Sequence, residues 1–139
     1  NSDYHFIVEF PKDNIMDVVK QKGKDFIVVA CATQVSPQHL ELMANTDAKE
    51  RTKFLLKTNM EINRFLVDCQ LAVDQSTNLL QQYVITYQIF DDGLTKNSLY
   101  DALKRVFKAK IQCVWLIEKT FGTVNTPTTE ASNENSMFI

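Results

Sequence analysis

The side chains in this sequence that could do chemistry are few and scattered: two histidines, three cysteines and a pair of adjacent aspartates. His39 falls in the first turn after Ser36-Pro37, a short distance past Cys31. A thiolate beside an imidazole at a helix start would pair a nucleophile with a general base. Cys31, however, closes the apolar run Val28-Val29-Ala30, and no third residue is spaced to orient the pair. A structural strand-to-helix junction is the reading this pattern favours. His5 faces away from the stripe Tyr4, Phe6, Val8 and reads as a sheet-surface residue. Asp91-Asp92-Gly93 could hold a divalent cation, but the alternating acidic loop with its closing glutamate is missing. Asp-Gly is also turn chemistry, and Asp92 puts negative charge near the start of the next helix.

Lys104, Arg105, Lys108 and Lys110 gather on one segment and could form a phosphate-binding stripe. Asp101 stands at the i,i+4 distance from Arg105, and Glu118-Lys119 mixes the signs again, as on a solvated helix face. The whole chain carries 15 Lys+Arg against 17 Asp+Glu, a net charge of −2, which argues against nucleic acid as a partner. With only three glycines a glycine-rich phosphate loop is excluded, and the serine-hydrolase, zinc-protease and dinucleotide motifs are missing too. No residue is assigned to catalysis, to a cofactor or to a metal. The expectation is a protein that is not an enzyme.

Cys31, Cys69 and Cys113 form no metal-ligand or thioredoxin-type spacing. Each sits in an apolar run, where a free thiol packs as a small hydrophobe, and three such thiols fit the reducing cytoplasm. The longest apolar stretch, Phe26 to Ala32, falls far short of the roughly 20 residues that span a bilayer. No membrane association is expected.

These residues must be positioned by a small set of elements. Tyr4, Phe6, Val8 and Phe10 alternate as one face of a strand that ends at Pro11. Strands follow over 15–20 and 26–35, joined by turn residues, making an antiparallel meander. Ser36-Pro37 predicts a short helix ending near Asn45. Asp47 and Glu50 have capping-box spacing for a second helix, with Leu55, Ile62, Phe65, Leu66 and Cys69 at helical period. Arg64 and Asp68 are placed as an ion pair on its outer face. A weak strand over 70–75 and a long one over 79–90 come next, with Tyr83, Ile85, Tyr87 and Ile89 on one face. Thr95 caps a last helix whose buried stripe is Leu99, Leu103, Val106, Cys113, Ile117 and Phe121, stopped at Gly122. The order β-β-β-α-α-β-β-α predicts an α+β fold, an antiparallel sheet of about five strands with helices packed on one face. The domain boundary is set at 1–122, and 123–139 reads as a polar C-terminal tail. Its closing triplet Met137, Phe138 and Ile139 is the candidate partner contact, and Tyr83, Tyr87, Phe90 and Tyr100 add aromatics of the kind interfaces share with cores.

The segments Phe6-Ile-Val-Glu-Phe-Pro11, Lys22-Gly-Lys-Asp-Phe-Ile27, Val35-Ser-Pro-Gln-His-Leu40 and Phe90-Asp-Asp-Gly-Leu-Thr95, with Trp115-Leu-Ile117 and Phe121-Gly122, resemble a small archaeal family of unknown function. The resemblance covers residues 4 to 122. It implies a fold similar to the type III secretion chaperones, often dimeric, which hold partly unfolded segments along their surfaces. It supplies no catalytic residue. It also implies a helix before the first strand, whose place another segment such as the tail would have to cover. The expected function is a non-enzymatic, chaperone-like module that binds protein or peptide segments, as a homodimer. The alternative is a small-molecule binder or an enzyme with its site between sheet and helices.

Overall fold

The computed structural model describes residues 1–124. Three strands, β1 (Ser2–Glu9), β2 (Ile15–Gln21) and β3 (Phe26–Gln34), form the meander; helices α1 (Pro37–Ala44) and α2 (Ala48–Asn63) follow. Strands β4 (Asp68–Val73) and β5 (Leu80–Phe90), a single 3-10 turn (Asp91–Gly93) and the long helix α3 (Lys96–Phe121) complete the described chain. All pairings are antiparallel and the sheet order is β1-β2-β3-β5-β4. The α+β architecture, a five-stranded antiparallel sheet with three helices, is therefore the one the sequence pattern predicts.

The pleat decides which side is core. Ile27, Val29, Cys31 and Thr33 of β3 are buried, with Met16 and Val18 of β2 and Tyr83, Ile85 and Ile89 of β5 on the same side. α3 lies across β3 and β5, α2 lies against β4, and both α1 and α2 pack on α3. Ala102, Val106, Ala109, Cys113 and Ile117 are the α3 positions closed over by the sheet and α2. The opposite sheet face, with Ile7, Phe26, Val28 and Phe90, has no described helix over it.

The caps are local and legible. Ser36 Oγ accepts from His39 N at 3.2 Å with Pro37 next to it, and Thr95 and Ser98 exchange side-chain-to-backbone bonds of 3.0 and 2.8 Å. The capping box expected at Asp47 does not form: its side chain makes no cap bond, and Glu50 instead reaches Lys53 at 3.1 Å. Helix α2 also ends earlier than its apolar period suggests. Leu66 sits at φ 58°, the left-handed conformation that closes many helices, here on a branched residue. Its side chain is 70% exposed, and Asp68 and Cys69 already belong to β4. Arg64 accordingly pairs with Glu61 at 3.8 Å and not with Asp68. On β1, Tyr4, Val8 and Phe10 are half-buried as expected, but Phe6 is 58% exposed because no helix extends over this edge of the sheet.

Candidate functional site

The sequence candidates for chemistry are structural. The His39 ring is buried, its Nε2 lying 2.8 Å from the Gly122 carbonyl and its Nδ1 3.3 Å from Ser36 Oγ. With the carbonyl as acceptor, Nε2–H donates to it and the Ser36 hydroxyl donates to Nδ1, so the imidazole joins the start of α1 to the end of α3. Cys31 has other company: its thiol donates to the Ile15 carbonyl at 3.6 Å, beside Thr33 and Lys110, and burial pushes it above the ordinary thiol range. His5 is on the uncovered sheet face, 2.7 Å from Asp17. Asp91 is taken by Lys20, whose Nζ donates to both carboxylate oxygens at 2.7 and 2.6 Å, so the Asp91-Asp92 pair does not act as one ligand set. Among the described residues no three His, Cys, Asp or Glu side chains are grouped to hold a metal ion.

The basic stripe divides. Lys110 turns inward and is buried beside the β1–β2 turn, where its ammonium donates to Asn14 Oδ1 at 2.5 Å while Asn14 Nδ2 donates to the Phe10 carbonyl at 2.7 Å. Burial lowers its pKa from the ordinary lysine value. Arg105 is held by Asp101 at 2.6 Å and also donates to the Phe65 carbonyl at 3.3 Å. Lys104 and Lys108 alone face solvent, Lys104 with its Nζ 5.6 Å from the Tyr100 ring centroid. Of the thiols, Cys31 and Cys113 are buried and Cys69 is half-buried. Cys113 of α3 and Cys69 of β4 are neighbours, and their interaction together with burial drives Cys113 far up. Tyr83 and Thr33, paired across β5 and β3, are both buried with hydroxyls that make no well-formed hydrogen bond.

What remains is a surface no single motif announced. Phe107, Ile111 and Trp115 recur at every fourth position of α3, on an arc beside the one the sheet covers, and so form a straight ridge along the helix. With Phe65 from the end of α2, and Lys108 and Gln112 at the rim, they line a groove of about 490 Å³. Trp115 is 61% exposed. The Arg105 bond to the Phe65 carbonyl fixes the far wall, and the left-handed Leu66 next to it turns the chain away into β4. An exposed tryptophan lining an apolar groove sets this stretch apart from a solvated helix face. The i, i+4, i+8 spacing could have found it; the basic residues interleaved with it, read by type, hide it.

An all-antiparallel sheet layered with helices on one face, without a metal-holding cluster among the described residues, defines an α+β domain that carries an apolar groove on its long helix. The comparisons place it more closely. The chain belongs to the DUF2299 family of uncharacterised conserved proteins, whose family model matches residues 1–117. It is similar to a crystal structure of an uncharacterised protein from Methanothermobacter thermautotrophicus, with 41% sequence identity, a TM-score of 0.83, and coverage of 88% of this chain and 84% of that one. Among curated proteins none matches. The archaeal resemblance is thereby supported at the level of family. Among the described residues, no helix is long and apolar enough to cross a membrane. Met137, Phe138 and Ile139 lie outside the described residues, as does most of the polar tail.

Proposed function

We propose that this protein is a non-enzymatic, chaperone-like module of the cytoplasm that binds protein or peptide segments and works as a homodimer. The observation that carries the reading is the Phe107-Ile111-Trp115 ridge with Phe65, an apolar groove left open beside a core that is already closed. A ridge on a helix offers a second helix the side-chain interdigitation that helix pairs use. The element order and the one-sided layering support the type III secretion chaperone likeness. The uncovered sheet face, with Ile7, Phe26, Val28 and Phe90, supports self-association. The tail triplet Met137, Phe138 and Ile139 is proposed as an additional partner contact, and residues 1–122 as the folded unit.

The test uses the single tryptophan of the chain, which stands in the groove. Titration with a chemically unfolded model protein is expected to shift Trp115 emission to the blue, protect it from iodide quenching and suppress aggregation of the added chain. Ile111→Asp is expected to abolish all three effects. Sedimentation equilibrium is expected to give twice the chain mass. If Trp115 is unaffected while a metabolite library raises the melting temperature, the small-molecule alternative replaces this reading.

A further inference from the structure

Resting on the groove assigned above, we infer that its partner is an amphipathic helix with acidic flanks. The ridge sets the shape. Three side chains spaced four residues apart extend about 12 Å along α3, the length of two helical turns. Such a ridge seats between the apolar rows of another helix, and the hollow between Phe65 and Trp115 gives the partner's apolar side chains a place to enter. The partner is read as apolar at i, i+3 or i+4, and i+7.

The rim sets the charge. From Ala102 to Ile117 the helix carries no aspartate or glutamate, although the chain as a whole has more acidic than basic residues. Of the acidic groups nearest in sequence to the groove walls, Asp101 is engaged by Arg105 and Glu61 by Arg64, Asp68 projects from the uncovered face of β4, and Glu118 stands three residues past Trp115, ten residues along the helix from Lys108. Lys104 and Lys108 lie at i,i+4 beside the ridge, both exposed, and neither has a carboxylate within 4.0 Å among the described residues. A partner bringing carboxylates to this side would complete two ion pairs at the edge of an apolar contact, where charge selects partners more than it adds affinity. Nucleic acid is the other polyanion to weigh. It suits this surface less, because Lys110 is turned into the core and Arg105 is committed to Asp101 and Phe65, which leaves two lysines against a phosphate chain.

Two helical peptides of about 16 residues test this, with leucine at the same i, i+4, i+7 positions and either glutamate or lysine on the flanks, read out by Trp115 emission. The glutamate peptide is expected to bind roughly tenfold more tightly at low salt and to lose most of that margin at high salt. The double variant Lys104→Glu, Lys108→Glu, checked for an unchanged circular dichroism spectrum, is expected to reverse the preference. Equal binding of both peptides would overturn the acidic assignment and leave the groove standing. No response of Trp115 to either peptide would overturn the groove and the assignment together. Tighter binding of a single-stranded oligonucleotide, lost in the same double variant, would replace the peptide with nucleic acid.

Discussion

Helix α3 has two apolar arcs, and the contrast between them is the most informative feature of the molecule. Val106, Cys113 and Ile117 face inward and are nearly inaccessible; Phe107, Ile111 and Trp115 stand a quarter-turn or more around the same helix, and Trp115 is mostly in water. Residue type does not separate the arcs, since the outer one is if anything larger and more aromatic. What separates them is the second layer. The sheet and α2 supply it for the inner arc; on the outer arc Phe107 still packs against the core, and the layer runs out toward Trp115. A helix needs one apolar stripe to seat on a sheet. Hydrophobicity beyond that stripe, greatest at Trp115, adds least to the fold and is what the proposed partner would use.

The contrast can be broken or sharpened by measurement. The largest effect is expected from Val106→Asp, which buries an unpaired carboxylate and should remove about 4 kcal/mol or more from the stability seen in urea unfolding. Trp115→Ala should cost less than about 1 kcal/mol in the same assay, as a mostly exposed side chain does. Equal losses at the two positions would make the ridge part of the core.

Next is the alkaline limb. Cys31 titrates above the ordinary thiol value of 9.0 and Tyr83 above the ordinary phenol value of 10.0 because burial disfavours their anions, and Cys113 is driven up by the neighbouring Cys69 and then by burial. Above pH 9 the native state therefore holds protons that the unfolded chain has released, and stability falls as pH rises, by up to about 1.4 kcal/mol per pH unit for each group. Lys110, lowered from 10.5, opposes this over part of the range, but the three groups outnumber it. Cys113→Ala should flatten the fall, and Trp115→Ala should leave its slope unchanged. A smaller gain, roughly 0.5–1 kcal/mol, is expected from Leu66→Gly, which relieves a left-handed leucine without removing buried contact. The smallest effect belongs to Lys104→Glu with Lys108→Glu, within about 0.5 kcal/mol of the parent in urea, even though partner choice changes.

Much of this architecture could be read from residue order. Alternation at Tyr83, Ile85 and Ile89 marks a strand, and Ser36-Pro37 and Thr95 mark helix starts, because strand pleat and cap chemistry are local. The end of α2 is not legible. Phe65, Leu66 and Cys69 continue the helical period by coincidence, and the left-handed turn that stops the helix is made by a leucine, where glycine or asparagine would have announced it. Lys110 misleads by type, since lysine reads as surface, although 103, 106, 110, 113 and 117 share one side of the helix. The ridge is hidden for a different reason. Spacing shows that Phe107, Ile111 and Trp115 are aligned, but only the placement of the sheet shows which arc of α3 is covered.

Strand order has a consequence for how the chain is made. β5, in contact with β3 on one side and β4 on the other, is the last of the described strands to be synthesised, yet it occupies an interior position. The first three strands can close on each other as soon as they leave the ribosome, since each neighbours the next in sequence. The free edge of β3 must then stand open, with its row of unpaired amides and carbonyls, while α1, α2 and β4 are still emerging. Only when residues 80–90 arrive does one strand cover that edge and give β4 a place to pair. Between the completion of β3 at residue 34 and the arrival of β5 at 80–90 the nascent chain thus has an open-edged three-stranded sheet, and a late strand ends that exposure.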